Sequence, residues 1–150
     1  MTTTGEIQDL ITQDGEKVYE KMAKQICEWG KDLRGQRGYS SIGAVVGATY
    51  PEEAKKLRDL LRFAIILVPG YGAQGGGAKD VVPCFDENGY GAIVNSSRGV
   101  IFAYQTEKYK CDPKGYALAA RKAAIDMQND INFALNAAGK LPKGWAAWQP

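Results

Sequence analysis

The sequence predicts an α/β fold in which short parallel strands alternate with helices. Three short apolar runs, at residues 42–47, 64–68 and 91–94, are bounded by turn residues and are too short to be helices. Helical patterns precede, separate and follow these runs. Such alternation is typical of parallel strands joined by right-handed helical crossovers, and runs that are apolar throughout indicate strands buried on both faces.

The N-terminal region is predicted to be helical and amphipathic over residues 4–30. Thr3 and Glu6 match a capping box, and apolar residues follow them at largely helical spacing. Gly15 interrupts this pattern, so we expect two helical pieces.

Three further helices are expected along the rest of the chain. One begins near Pro51, where acidic residues follow the proline, and a short one covers residues 78–85. The last and longest covers residues 113–138. Its predicted apolar side consists of Tyr116, Ala120, Ala124, Met127, Ile131 and Leu135.

Composition and charge point to one ordinary globular domain. The 150 residues are 45% hydrophobic and 24% charged, and the net charge of +2 is spread along the chain. The charge pattern therefore gives no support for binding to nucleic acid or to an anionic membrane. The first ten residues lack the apolar region of a secretory signal, and the longest apolar run, residues 63–68, is too short to cross a bilayer. We expect a cytoplasmic protein.

The residue inventory excludes several kinds of active site. The chain has no histidine, and its three cysteines, Cys27, Cys84 and Cys111, are far apart and form no CxxC pair. Zinc sites built from Cys and His, Ser–His or Cys–His dyads and a disulfide framework are therefore not expected.

Two loops that follow predicted strands carry the residues most suited to ligand binding. Residues 69–77 contain five glycines, and Gln74 is their only long polar side chain. Glycines allow close backbone approach and inward-turned N–H groups, and the start of the next helix favours an anion. Arg98 follows the next strand, after an asparagine and two serines, and the guanidinium group suits phosphate oxygens.

Each loop also has a simpler interpretation. A glycine-rich segment is often a flexible connector, and a single arginine after a strand is often a solvated surface charge. Ligands of parallel sheets bind at the carboxyl ends of the strands, however, and these loops follow consecutive strands. Together they predict a site for a phosphate ester.

Three segments resemble successive parts of bacterial orotidine 5′-phosphate decarboxylase. They are VVGATYPEE at residues 45–53, LVPGYGAQGG at residues 67–76 and AIVNSSRG at residues 92–99. The resemblance implies the last three β/α units, strands six to eight, of a (β/α)₈ TIM barrel, together with the preceding and final helices. Residues 1–150 would then form a single C-terminal fragment of that barrel domain, carrying its phosphate-binding loops.

The resemblance also implies a ligand and its contacts. The ligand would be a nucleotide monophosphate, OMP or UMP, and the family decarboxylates OMP to UMP and CO2 without a cofactor or metal. The residues implied for the phosphate are Gln74, Arg98, Ser97 and Gly99, and those implied for the rest of the substrate pocket are Pro69, Gly70 and Gly75.

The catalytic signature of the family, D-x-K-x-x-D, is missing from the chain. Asp112 and Lys114 form a D-x-K sequence, but Ala117 stands where the second aspartate is required and Pro113 argues against a buried strand. We therefore expect no catalytic residue here and no decarboxylation by the isolated chain. A complementary N-terminal barrel fragment or self-association into a homo-oligomer is expected to complete the fold.

Two alternatives remain open at this point. The sequence also fits a non-catalytic module that binds a nucleotide or ribose phosphate. It also fits a part of another phosphate-binding barrel enzyme, such as a sugar-phosphate aldolase or synthase, that shares only the anion site.

Overall fold

A three-stranded parallel sheet forms the centre of the fold. The computed structural model describes residues 7–48, 50–72 and 75–145. Strands β1 (Ala44–Val45), β2 (Ile66–Val68) and β3 (Ala92–Val94) lie side by side in chain order. The register places Val45 opposite Leu67 and Leu67 opposite Ile93. The predicted α/β fold with a parallel sheet is confirmed.

Five α-helices accompany the sheet in the described residues. Helix α1 precedes β1, α2 connects β1 to β2, and α3 with a 3₁₀ turn leads toward β3. Helices α4 and α5 follow β3, with further 3₁₀ turns between them. Within the described chain, no helix is long and apolar enough to span a membrane. The bounds are α1 Val18–Gly30, α2 Pro51–Leu60, α3 Ala78–Val81, α4 Ser97–Ile101 and α5 Tyr116–Ala137.

The expectation that the strands are buried on both faces is wrong. Ile66 and Val68 are completely buried in the main core, but Leu67 between them is 40% exposed. Its neighbours across the sheet, Val45 and Ile93, are 68% and 57% exposed. Alternate side chains of a strand point to opposite faces. One face of the sheet is therefore covered by the helices, while the other presents an apolar row to solvent.

The N-terminal helix is shorter than predicted. It begins at Val18, whereas residues 11 and 17 form an antiparallel bridge around a turn. The Thr12 hydroxyl and N–H both donate to the Glu16 carbonyl at 2.8 Å, and Gly15 has a φ of +83°. These local hydrogen bonds and the left-handed glycine replace helix. The predicted capping box at Thr3 and Glu6 lies outside the described residues.

The later helices follow the predictions closely, except for one side of α5. Helix α2 begins at Pro51, as expected, and α3 begins at Ala78. On α5, Ile131 and Leu135 are buried as predicted, but Tyr116 and Ala124 are exposed. The small residues Ala119, Ala123 and Ala134 are buried in their place, which allows α5 to lie close to its neighbours.

Arg58 on α2 joins the elements at the amino ends of β2 and β3. Its guanidinium group donates to the carbonyl oxygens of Gly91 and Ala64 at 3.0 Å, of Cys84 at 3.4 Å, and of Leu61. The side chain is buried, and burial lowers the pKa of the guanidinium group below its ordinary value. The Gly91 and Leu61 carbonyls also accept from the N–H groups of Ile66 and Ala64, so the arginine adds a second donor to these two and supplies a donor to the Ala64 and Cys84 carbonyls.

A tyrosine–carboxylate pair lies beside this arginine. The Tyr39 hydroxyl donates to Asp86, whose charge favours the protonated Arg58. Burial, followed by the hydrogen bond to Asp86, raises the pKa of Tyr39 to about 12. Gly91 approaches both side chains, since a Cβ there would lie 3.0 Å from the Arg58 Nη1 atom and 3.2 Å from the Tyr39 ring.

We expect the substitution Arg58→Met to lower the free energy of unfolding by about 2–4 kcal/mol, because the buried carbonyls lose the hydrogen bonds from the guanidinium group while the apolar volume is kept. Urea denaturation would measure the change. The matched control Arg62→Met removes an exposed arginine near the end of the same helix and should change stability by less than about 0.5 kcal/mol. Equal stability of the two variants would contradict the structural role given to Arg58.

Candidate functional site

Two loops meet at the carboxyl ends of β2 and β3. Pro69 follows β2 directly, and Asn95 follows β3. The Asn95 N–H donates to the Val68 carbonyl at 3.2 Å, so strand pairing continues into the second loop. The Ser96 hydroxyl donates to the Tyr71 carbonyl at 3.0 Å. The two predicted ligand loops are therefore in direct contact.

A small cavity lies between these loops. Its volume is about 80 Å³, which is the share of two or three liquid water molecules at about 30 Å³ each. That space suits a group of phosphate size, whereas sites that enclose a drug-sized ligand reach about 300–1,000 Å³. The lining residues are Pro69, Gly70, Tyr71, Asn95, Ser96, Ser97 and Arg98.

Arg98 provides the positive charge at this cavity. Arg98 was predicted to lie in a loop, but it is the second residue of helix α4. The residue is exposed. Among the residues that the structure describes, no carboxylate lies within ion-pairing distance of its guanidinium group. The arginine is therefore available to an external anion.

The glycines of the first loop mainly stabilise the conformation of the loop itself. The Gly72 N–H donates to the Gly76 carbonyl at 2.7 Å, the Gly75 N–H to the Gly72 carbonyl at 2.9 Å, and the Gly76 N–H to the Gly70 carbonyl at 3.3 Å. Gly70, Gly72 and Gly75 have positive φ values. These three N–H groups are occupied within the loop, so the expected inward-turned amides are not among them.

Close approach also requires glycine at two positions. A Cβ at Gly76 would lie 2.9 Å from both the Ala48 Cβ atom and the Gly70 carbonyl oxygen. A Cβ at Gly99 would lie 2.5 Å from the Ser96 hydroxyl oxygen. Gly76 thus allows the first loop to fold against the loop after β1, and Gly99 leaves room for the serine that bridges the two ligand loops.

Tyr71 attaches the first loop to the last helix, a contact that sequence reasoning missed. Its hydroxyl donates to the Asp130 Oδ2 atom at 2.7 Å, and burial, followed by this hydrogen bond, raises the pKa of Tyr71 above its ordinary value. The one feature of the local sequence that could have indicated this contact was an aromatic residue within a glycine-rich loop. Asp130 lies 59 residues away, and no sequence pattern connects it with Tyr71.

A second cavity of about 310 Å³ lies behind the first, between the glycine loop and α5. Its carboxylates already have partners, since Asp126 is 2.6 Å from the Lys108 ammonium and accepts a hydrogen bond from Tyr109 at 2.7 Å. The ion pair with Lys108 and the hydrogen bond from Tyr109 lower the pKa of Asp126. Within the described residues, no cluster of Cys, Asp and Glu side chains could hold a metal ion.

The structure brings most, but not all, of the predicted site residues together. Pro69, Gly70, Ser97 and Arg98 line the first cavity. Gly99 lines the second cavity, and Gly75 lines neither. Gln74, the expected counterpart of Arg98, lies outside the described residues, so its approach to Arg98 stays a prediction.

Sequence comparison identifies relatives that are much longer than this chain. The orotidine 5′-phosphate decarboxylase of Clostridium perfringens (strain SM101) is 48% identical over 130 residues, which are 87% of this chain and 44% of the relative. That of Rhodopirellula baltica is 43% identical over 129 residues, 85% of this chain and 42% of the relative. The chain therefore spans less than half the length of these relatives. No family model matches the chain.

Solved structures give the same result for the fold. A Toxoplasma gondii protein assigned as an orotidine-monophosphate decarboxylase superposes with a TM-score of 0.64 at 22% identity, over 90% of this chain and 49% of that one. Leishmania donovani UMP synthase superposes with a TM-score of 0.58 at 25% identity, over 88% of this chain and 26% of that one. The predicted resemblance is confirmed: over most of its length, this chain is homologous to a part of the orotidine 5′-phosphate decarboxylases.

Proposed function

We propose that the chain is the C-terminal part of an orotidine 5′-phosphate decarboxylase, which converts OMP to UMP and CO2, and that it supplies the site for the substrate phosphate. One observation carries the proposal. An arginine without a carboxylate partner in the described chain lies beside a phosphate-sized cavity, where two adjacent parallel strands end. This is the place where parallel sheets bind anionic ligands.

In the proposed complex, Arg98 binds the phosphate dianion through its guanidinium N–H groups. The N–H groups of Ser97 and Gly99 lie on the same loop and helix start, and we assign them as further donors. Gln74 is proposed to approach the phosphate from the other loop. Pro69, Gly70 and Gly75 are proposed to lie toward the pyrimidine.

The Asn95 amide oxygen offers an acceptor to a ligand in the first cavity. Its Oδ1 atom is buried and accepts no hydrogen bond within the described residues, yet the residue lines the first cavity. A buried acceptor without a donor is costly. A ligand that carries hydroxyl groups beside its phosphate, as a nucleotide does, offers the missing donor.

We further propose that β1, β2 and β3 are strands six to eight of an incomplete (β/α)₈ barrel, so that residues 1–150 are one fragment of that domain. The exposed apolar row formed by Val45, Leu67 and Ile93 supports this. In a closed barrel, side chains on the face away from the helices fill the interior. The row would then be covered by strands that this chain does not contain.

The decarboxylation step is assigned to another part of the enzyme. Asp112 and Lys114 lie in an exposed 3₁₀ turn, where the Asp112 carboxylate accepts a hydrogen bond from the Lys114 N–H at 2.9 Å. These two residues belong to the turn that precedes α5, and residue 117 is an alanine where the signature requires an aspartate. Phosphate binding distant from the reacting carbon still contributes to rate in a complete enzyme, because it orients the substrate.

Two other functions are compatible with the same cavity. A non-catalytic nucleotide-binding module would bind UMP and act without a partner that carries the catalytic residues. A sugar-phosphate enzyme would bind ribulose 5-phosphate at least as well as UMP. The preference between these two ligands separates the pyrimidine site from a general anchor for phosphate esters.

We expect UMP to bind to the chain, uridine to bind more weakly, and Arg98→Met to weaken UMP binding by roughly 10- to 100-fold, because a hydrogen bond to a charged group contributes about 1.5–3 kcal/mol. Phosphorus NMR titration of UMP would measure this. Arg62→Met serves as the charge-matched control and should leave binding unchanged. Absence of UMP binding, or preference for ribulose 5-phosphate, would argue against the proposal.

We expect the isolated chain not to decarboxylate OMP, since the D-x-K-x-x-D signature of this family is absent from its sequence. The decrease in ultraviolet absorbance as OMP becomes UMP provides the assay, with a complete bacterial orotidine 5′-phosphate decarboxylase as the positive control. Turnover by the purified 150-residue chain would show that the assignment of the chemistry to another part is wrong.

A further inference from the structure

Tyr71 and Ser96 lie between the first cavity and the second cavity behind it. Within the described chain, they are the two residues that line both cavities. The Ser96 hydroxyl donates to the Tyr71 carbonyl at 3.0 Å, so this shared wall joins the glycine loop to the loop that leads to Arg98. The placement of Tyr71 therefore affects the shape of the first cavity.

Tyr71 has the one side chain in the described part of the glycine loop that can form a hydrogen bond. The other residues of 69–72 and 75–77 are proline and glycine. Gly70 and Gly72, on either side of the tyrosine, have φ values of +105° and +76°. Glycine has the widest choice of backbone conformations and loses the most entropy when it is fixed. A loop of this composition depends on contacts outside itself to hold one conformation.

The side chain of Tyr71 makes such a contact with helix α5. Its hydroxyl donates to the Asp130 Oδ2 atom at 2.7 Å, and both residues line the second cavity. A phenol has a single O–H proton to donate. Because this proton is directed at Asp130, the hydroxyl is not a donor for an anion in the first cavity. Tyr71 therefore acts on that cavity through its backbone and not by contact with the ligand.

We propose that Tyr71 and Asp130 are positioning residues for the substrate phosphate. Their hydrogen bond holds the glycine loop against the Arg98 loop, in the conformation that gives the first cavity its phosphate-sized volume. A carboxylate suits this role, since a hydrogen bond to a charged acceptor is about twice as strong as one between neutral groups. The inference rests on the proposed function, in which this cavity binds the phosphate of OMP or UMP.

Two other roles for the pair predict opposite effects of substitution. If Tyr71 were itself a ligand of the phosphate, removal of the Asp130 carboxylate would free its hydroxyl and strengthen binding. If Asp130 acted through its charge, it would repel a phosphate dianion, and neutralising it would also strengthen binding. A positioning role requires instead that loss of either partner weakens binding.

UMP titrations followed by phosphorus NMR separate these roles. We expect Tyr71→Phe and Asp130→Ala each to weaken UMP binding by roughly five- to tenfold, as for the loss of one hydrogen bond. The double variant should bind no more weakly than either single variant, because both substitutions remove the same bond. Asp130→Asn keeps an acceptor oxygen and should stay within about threefold of the wild-type affinity. Tighter binding by Asp130→Ala, or additive losses in the double variant, would overturn the proposal.

Amide hydrogen exchange of the ligand-free chain tests the same hydrogen bond without UMP. The N–H groups of Gly72 and Gly76 form hydrogen bonds within the glycine loop. We expect Tyr71→Phe to accelerate exchange at both amides by roughly tenfold, because the loop opens more often. Tyr109→Phe is the matched control, since it removes the bond of another tyrosine hydroxyl to α5, at Asp126, and should leave both amides unchanged.

The two measurements keep the failures of the two proposals distinct. Unchanged exchange at Gly72 and Gly76 in Tyr71→Phe would refute the positioning role, whatever the affinity for UMP. A wild-type chain that does not bind UMP would refute the proposed function and, with it, the phosphate as the group that is positioned.

Discussion

A parallel sheet with all of its helices on one side can bury only one of its faces, and this constraint governs the rest of the structure. The covered face contains Ile66 and Val68, which have no exposed surface. The bare face presents Val45, Leu67 and Ile93 in register. Exposing a contiguous apolar row is unfavourable for a protein that acts alone. The bare face is therefore the feature that the proposed barrel fragment would explain, and the chain spans less than half the length of its curated relatives.

The same sheet separates stability from ligand binding. The Arg58 cluster ties together the amino ends of β2 and β3, while the loops with Pro69 and Arg98 occupy the carboxyl ends. Buried backbone carbonyls accept hydrogen bonds at one end, and at the other end the exposed Arg98 guanidinium has no carboxylate partner in the part of the chain that the structure describes. Stability and ligand binding therefore depend on residues at opposite ends of the strands, as is common in parallel α/β proteins.

Local patterns predicted what depends on local physics. Pro51 at a helix start, the three apolar runs and the long α5 were all recognisable, since each is decided by a few neighbouring residues. The contact between the Pro69 and Arg98 loops was also predictable, because parallel strands end at one edge. The burial of a strand depends on segments that are distant in the sequence, so the exposure of Leu67 was not predictable. The break at Gly15 was predicted, but the first of the two expected helical pieces is a turn, because the local hydrogen bonds between Thr12 and Glu16 replace helix before Val18.

The site was predictable to a similar depth. Residue types and strand order were sufficient to select Arg98, whereas Ser97, Pro69 and Gly70 were selected through the family resemblance, and all four line the first cavity. The internal hydrogen bonds of the glycine loop depend on exact backbone angles, which composition does not encode. The link between Tyr71 and Asp130 joins residues far apart in sequence, and one chain offers no covariation by which to find such a pair.

That link has a thermodynamic consequence. Asp130, which accepts the hydrogen bond of Tyr71, is part of α5, so the glycine loop is attached to that helix. If a ligand bound between the two loops favours one placement of α5, any other molecule that favours the same placement binds more tightly to the ligand-bound chain. Linkage requires the effect to be reciprocal, by the same factor in both directions.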